Sequence, residues 1–128
     1  MTNVDVVKQA YSNFATGNVA GVLDLFDPDI EWRECKGMPF VEGDGIFTGT
    51  EAVVTNVFMN LPVYFDGFNI AVTEIFGADD RVVMVGYYQG TNKSTGNEFK
   101  ANATHVWTVK DGKLSHFFQA VDTVTIIS

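Results

Sequence analysis

After residue 65 the hydrophobic period of this chain changes from 3.6 to 2 and stays at 2 almost to the end. No other feature restricts the fold as much. Alternating stretches lie near residues 66–76, 81–91, 97–109 and 113–123, and the connectors "GADD", "NKSTG" and "KDG" carry the Gly, Asn and Asp residues that tight turns need. Four long strands so joined make an antiparallel meander. Upstream the spacing is helical. Val4, Val7, Tyr11 and Phe14 form one stripe, with Thr2 or Asn3 as N-cap and Gly17 as stop. Asn18 opens a second short helix with Val22, Leu25 and Phe26 facing inward, ended by Pro28. "IEWRE" reads as a short strand and "CKGMPFVEGDGIFTG" as a loop. Thr50 caps a third helix whose stripe is Val54, Val57, Phe58 and Leu61 and which Pro62 ends. Helices followed by a meander define an α+β domain, with 1–128 as a single unit.

Charge and cysteine usage exclude several functions. Sixteen acidic against eight basic residues give a formal charge of −8, which argues against nucleic acid or an anionic membrane as partner. With Cys35 as the only cysteine there is no intramolecular disulfide and no multi-cysteine zinc site. The two histidines, His105 and His116, lack metal-ligand spacing, so no metal is expected. "GDGIFTG" lacks the spacing of a dinucleotide fingerprint, no nucleophile elbow occurs, and no cofactor is expected. No apolar run reaches the ~20 residues that span a bilayer, and "MTNVDVVKQAY" does not read as a secretory signal. The expectation is a soluble cytoplasmic protein.

The order of elements and three stretches, "ATGNVAGVLDLFDPDIEW", "FTGTEAVV" and "HVWTVKDGKLSHFFQAVDT", resemble the nuclear transport factor 2-like superfamily and, within it, the SnoaL-like branch related to ketosteroid isomerase and polyketide cyclases. The resemblance covers essentially the whole chain. It implies a cone-shaped barrel, a strongly curved and mainly antiparallel sheet wrapped around three N-terminal helices, with an apolar cavity between them. This fold hosts isomerases, cyclases, dehydratases, hydrolases and plain binding modules, so it does not fix the reaction.

In such a cone an inward polar side chain can meet a ligand. Alternation places Phe99, Ala101, Ala103, His105, Trp107 and Val109 on one face, which puts a histidine on an apolar wall. His105 is either a hydrogen-bonded structural residue or part of a site. Ile30, Trp32 and Glu34 also share a face. If that face is the inner one, Glu34 is costly to ionise and suited to acid–base work near neutral pH; the competing reading turns it outward toward Lys36. Its position is similar to that of the catalytic base of ketosteroid isomerase. At the position of that enzyme's oxyanion tyrosine stands Ala10, with Tyr11 roughly 100° further round the helix. At the position of its protonated aspartate stands Ala103 or Thr104. Steroid isomerisation is therefore not expected. Nor is the arginine-dependent mechanism of limonene epoxide hydrolase, since Arg33 points away from Trp32 and Arg81 begins a strand.

On the last strand Asp122 is the acid that could match the SnoaL-like acid/base aspartate, although Gln119 and Asp122 have opposite parity and only one faces inward without a bulge. Asp122 serves equally well as a structural residue bonded to backbone. The expected catalytic residues are Glu34, His105 and Asp122. The expected ligand contacts are Trp32, Phe40, Tyr88, Trp107, Phe118 and Gln119, with Met38 and Phe40 in a loop able to cap the cavity. The expected partner is an apolar small molecule, without nucleic acid or membrane. A homodimer through the outer sheet face is expected because "RVVMVGYYQGT" carries apolar side chains on both sides. Acid–base catalysis, ligand binding without catalysis, and a pure dimerisation module all remain open.

Overall fold

A computed structural model describes residues 1–128. Helix α1 (Asn3–Ala15) starts with a capping box in which Thr2 and Asp5 satisfy each other's backbone N–H. It buries Val6, Val7 and Ala10, with Tyr11 and Phe14 packed beside them. Asn18 caps α2 (Val19–Leu23) by accepting from the Gly21 N–H. Strand β1 (Phe26–Arg33) begins earlier than its apolar pattern suggests, with Pro28 inside it rather than at the end of α2. Pro28 has no N–H to donate, and it sits where the pairing of β1 slips between Phe26 and Glu31.

The expected loop contains a further short strand, β2 (Ile46–Thr48). Helix α3 (Thr50–Val53) continues into one π turn, Val54–Phe58, instead of running on as a regular helix. A separate turn, α4 (Leu61–Tyr64), follows with Pro62 in its first turn, where the missing N–H costs nothing. The meander is β3 (Phe65–Ala78), β4 (Arg81–Asn92), β5 (Glu98–Lys110) and β6 (Lys113–Val121). At the last hairpin Asp111 and Gly112 both take positive φ, 51° and 76°, as the Asp-Gly signal requires. A short helix, α5 (Thr123–Ile127), follows β6, so the strand stops at Val121 and not at the 123 that alternation predicts.

The sheet runs β2-β1-β6-β5-β4-β3, antiparallel except where β1 lies parallel to β6. It is the curved, mainly antiparallel sheet that the sequence predicts, open at its edges β2 and β3. Pairing slips in β3 between Asp66 and Asn69 and between Val72 and Glu74, and bulges of this kind bend a sheet. Gly86 lies beside the second slip, where a Cβ would stand 2.1 Å from the Ala71 carbonyl oxygen. The concave face holds the core. Phe99, Ala101, Ala103, His105, Trp107 and Val109 of β5 are all buried there, as alternation indicates.

Candidate functional site

Between the helices and the concave face is a cavity of about 50 Å³. Its apolar wall includes Phe14 from α1, Val57 and Phe58 from the π turn, Leu61 from α4, and Phe68 and Ile70 from β3. Met38 and Phe40 of the loop after β1 close one side. A π turn is a common device at functional sites, and here it carries two wall residues.

The polar side chains of this wall form one continuous network. Glu34 is 4% exposed, with its backbone N–H bonded to the Gly45 carbonyl just past the end of β1. Trp32 Nε1 donates to Glu34 Oε1 at 2.9 Å, and Gln119 Nε2 donates to Glu34 Oε2. Tyr88 Oη donates to Gln119 Oε1 at 2.5 Å and also lies 2.5 Å from His105 Nε2. The other imidazole nitrogen, Nδ1, is 2.6 Å from Tyr11 Oη, which accepts a 2.8 Å bond from Trp107 Nε1. Every buried side-chain nitrogen and oxygen of the protein has a partner.

With Glu34 ionised, donor rules fix the direction of these bonds. Gln119 Nε2 donates to the carboxylate and its Oε1 accepts the Tyr88 hydroxyl proton, so the Tyr88 oxygen accepts from His105 Nε2–H. Nδ1 of the neutral imidazole is then an acceptor and takes the Tyr11 hydroxyl proton, while the Tyr11 oxygen accepts from the Trp107 indole. The chain of donors ends on a carboxylate. Burial pushes the Glu34 carboxyl up to about 7, partly offset by the Trp32 N–H and the Cys35 backbone. Burial lowers His105 to about 3, so the imidazole is neutral. Tyr11 and Tyr88 are raised above the ordinary phenol value, chiefly by burial, and keep their protons. Near neutral pH, Glu34 is thus the member of the network that titrates.

The sequence of the SnoaL-like domain family matches residues 7–117, most of the chain. This protein belongs to that family. Its fold is shared by an NTF2-like protein of Burkholderia thailandensis E264, 32% identical, with a TM-score of 0.92 over 99% of this chain and 95% of that one. An NTF2-like protein of Burkholderia pseudomallei K96243 is 26% identical, with a TM-score of 0.88 over 99% and 96% of the two chains. TerC, in a structure co-crystallised with polyporic acid, is 26% identical, with a TM-score of 0.86 over 98% and 95%. No curated protein matches the chain.

In this SnoaL-like cavity lie Glu34, His105, Trp32, Phe40, Tyr88, Trp107 and Gln119. Two expected site residues are elsewhere. Asp122 is exposed and caps α5, accepting from the Thr125 N–H and hydroxyl, so of the two parities the inward one belongs to Gln119. Phe118 is 45% exposed, because on β6 it alternates with the buried Phe117 and Gln119. Tyr88 was expected as an apolar wall residue, but its hydroxyl is a link in the network. Tyr11 was not expected as a site residue. The signal was its place in the buried stripe of α1, since a tyrosine facing inward needs a partner for its hydroxyl. His116 lies on the convex side, 3.4 Å from Glu31, and Arg33 and Arg81 are also outside the cavity. No group of three His, Cys, Asp or Glu side chains is placed to hold a metal ion. No helix is long and apolar enough to cross a membrane.

Proposed function

We propose that this SnoaL-like protein is a cofactor-independent enzyme of the isomerase, cyclase or dehydratase type, acting on a small, largely apolar carbonyl compound. One observation carries this reading: the Glu34 carboxyl faces an apolar cavity, is held by two N–H donors, and has its proton affinity raised to about 7. A group balanced between acid and base near neutral pH suits proton transfer at carbon, worth about 10²–10⁴-fold in rate. Glu34 takes the proton from the ligand. His105, neutral and tied to Tyr11 and Tyr88, relays or polarises, and Gln119 orients the carboxyl. The co-crystallisation of TerC with polyporic acid supports a small-molecule ligand for this cavity.

The size of the cavity favours a second reading. About 50 Å³ is well below the ~300–1,000 Å³ of ordinary ligand pockets. A binding protein for a small apolar ligand, or a dimerisation module whose cavity is filled by its own side chains, needs no larger space. Exchange of carbon-bound protons with D₂O, followed by NMR across a panel of small ketones and 1,3-diketones, separates the readings. The enzyme reading requires exchange by the wild type and its loss in Glu34→Gln with ligand binding kept. Binding without exchange by the wild type supports the second.

Pairing of two chains through the convex sheet face belongs to either reading. Phe118 stands beside Val106 on that face, next to half-buried Val83 and Val85. Light scattering at twice the chain mass is the expected result, and a monomer at high concentration would exclude it.

A further inference from the structure

We propose that Met38 holds the place that a ligand's ring takes in the cavity, and that it leaves with the loop of residues 35–44 when the ligand enters. This rests on the reading that the cavity receives a small apolar compound, with or without turnover. It adds the residue that decides the size of that compound.

The parts of the wall differ in how firmly they are held. Phe14 belongs to α1, Val57 and Phe58 to the π turn, and Phe68, Tyr88 and Trp107 to strands, so displacing their backbone breaks regular hydrogen bonding. Met38 and Phe40 lie outside every helix and strand. Their loop leaves the β1–β2 pair, and returns to it, where the Glu34 N–H meets the Gly45 carbonyl at 2.8 Å. Inside the loop the Met38 N–H bonds to the Cys35 carbonyl at 3.3 Å and the Val41 N–H to the Met38 carbonyl at 3.0 Å. No backbone N–H or carbonyl of residues 35–44 bonds to another part of the protein. Its side chains add bonds only at the neck: the Cys35 thiol to the Val121 carbonyl at 3.8 Å, and the Asp44 carboxylate accepting from the Ile46 N–H at 3.0 Å. No ion pair reinforces them. A loop with closed ends and no ladder of its own can open while the sheet stays intact.

Burial of one side chain keeps this loop down. Met38 is 3% exposed and is the only buried residue among 35–44. It shares an apolar cluster with Phe65, Tyr88, Phe99, Ala101 and Ile126. Phe40 is only half-buried, with its ring centroid 5.9 Å from that of Tyr64. Gly37 and Gly45 flank the segment with φ of 101° and 73°, and residues without a Cβ turn most readily at such points. The unbranched, flexible side chain of methionine adapts to a space that another group also fills.

Exchange of Met38 for a ring is close to balanced. Exposing the methionine side chain costs about tenfold to a hundredfold in affinity, and a ring buried in its stead recovers that loss. Vacating one large side chain in a core opens on the order of 150 Å³, room for a single benzene ring. Joined to the existing 50 Å³ or so, this accommodates one ring with its carbonyl directed at the Glu34 network. The rings of Phe65, Tyr88 and Phe99 and the small Ala101 and Ala103 in the same cluster suit a flat ligand. The ligand class is a carbonyl compound with one aromatic or alicyclic ring.

The test uses the full chain with ¹³C-labelled methionine methyls, and acetophenone and 1-tetralone as probes. Met84, fully buried, and Met59, 61% exposed, serve as internal references, and the volume-conserving Met38→Leu identifies the Met38 signal. Acetophenone is expected to move the Met38 methyl to the position of an exposed methionine and to leave Met84 in place. This measurement needs only the wild type. In Met38→Ala, acetophenone should bind about tenfold to a hundredfold more tightly, whereas a truncation that merely loosened the fold would weaken binding. 1-Tetralone, with its second ring, should bind the wild type at least about tenfold more weakly than acetophenone, and equal affinity would overturn the size limit. Acetophenone bound with the Met38 methyl unmoved, or bound by Met38→Ala and not by the wild type, makes Met38 a fixed wall and overturns the inference while the ligand reading stands. Binding of neither probe by either protein overturns the ligand reading as well.

Discussion

Glu34 leaves a signature in the stability of the protein that can be measured without a substrate. Burial moves its carboxyl from 4.5 to about 7. Between those values the native state holds a proton that the unfolded chain has released. The contribution of this group is therefore complete below pH 4.5 and is lost as pH rises through about 7. At about 1.4 kcal/mol for each tenfold change in proton affinity, the loss amounts to about 3 kcal/mol. His105 works in the opposite sense. Burial lowers it from 6.5 to about 3, so in that range the unfolded chain binds a proton that the native state refuses, and stability rises with pH. Where the windows overlap, from about pH 4.5 to about pH 6.5, the two slopes nearly cancel.

A wild-type curve alone conceals both effects, whereas its difference from Glu34→Gln does not. Glutamine keeps the shape and does not titrate, so the His105 slope is common to both proteins and drops out. The same holds for Asp5 and Asp122, whose carboxyls are held below the usual range by hydrogen bonds from Thr2 and Thr125. Urea unfolding at fixed ionic strength gives the two stabilities at each pH. The expected difference, wild type minus variant, falls by about 3 kcal/mol between about pH 4 and about pH 8, while the variant alone gains stability up to about pH 6.5. Parallel curves would refute the reasoning, because a Glu34 that titrates alike in folded and unfolded chains is not desolvated.

Trp32→Phe removes the indole N–H from Glu34 and keeps a ring against Phe117, whose centroid lies 3.8 Å away. A hydrogen bond to a charged group is worth about 1.5–3 kcal/mol, so the proton affinity of Glu34 should rise about tenfold to a hundredfold, and an unchanged ¹³C titration would count against that bond. Tyr11→Phe should cost about 1–3 kcal/mol in urea unfolding, because the Trp107 indole N–H and His105 Nδ1 lose their shared partner inside the core; an unchanged stability would count against those bonds. Gly86→Ala should cost at least about 1–3 kcal/mol in thermal unfolding, because its Cβ would meet backbone at Ala71 rather than a side chain able to move. Asp122→Ala should cost about 1 kcal/mol through the lost cap of α5 and leave turnover unchanged; a large loss of activity would return Asp122 to the site.

The sequence makes the fold legible because its period is unambiguous where the sheet is long. Alternation on β5 places six residues on the buried face, and the turns carry the residues that fix their geometry. What it does not reveal is decided by pairing over distance. β2 has three residues and no pattern of its own; it exists because Glu31, Trp32 and Arg33 offer it an edge. The π turn and the break before α4 leave the stripe of Val57, Phe58 and Leu61 almost unchanged, so hydrophobic spacing cannot report them. The same limit applies to the site. Glu34 and His105 stand out as polar groups on apolar faces, whereas the proper facing of Gln119 over Asp122 depends on where β6 ends and α5 begins. Tyr11 and Tyr88 read as packing until the partners of their hydroxyls, 94 and 17 residues away at His105, are in place.

The size of the cavity and the strength of its base are coupled. Glu34 has a raised proton affinity because burial is the largest influence on it, and the cavity that it lines with Met38, Phe40, Phe58 and Phe68 is only about 50 Å³. That space holds a few waters at most. A ligand with a ring and a carbonyl must therefore displace wall side chains, and Phe40, Phe58 and Phe68 are among the partly buried members of the wall, together with Tyr11, Phe14, Leu61 and Ile70. An apolar ligand that pushes in keeps water out and preserves the desolvation of Glu34. A truncation that enlarges the same space admits water, which solvates the carboxylate and returns its proton affinity toward the ordinary value. Base strength then falls with every gain in room. Substrate size and basicity at Glu34 are set by the same side chains, so a variant made to accept a larger ligand keeps its base only if the ligand fills the space the truncation opens.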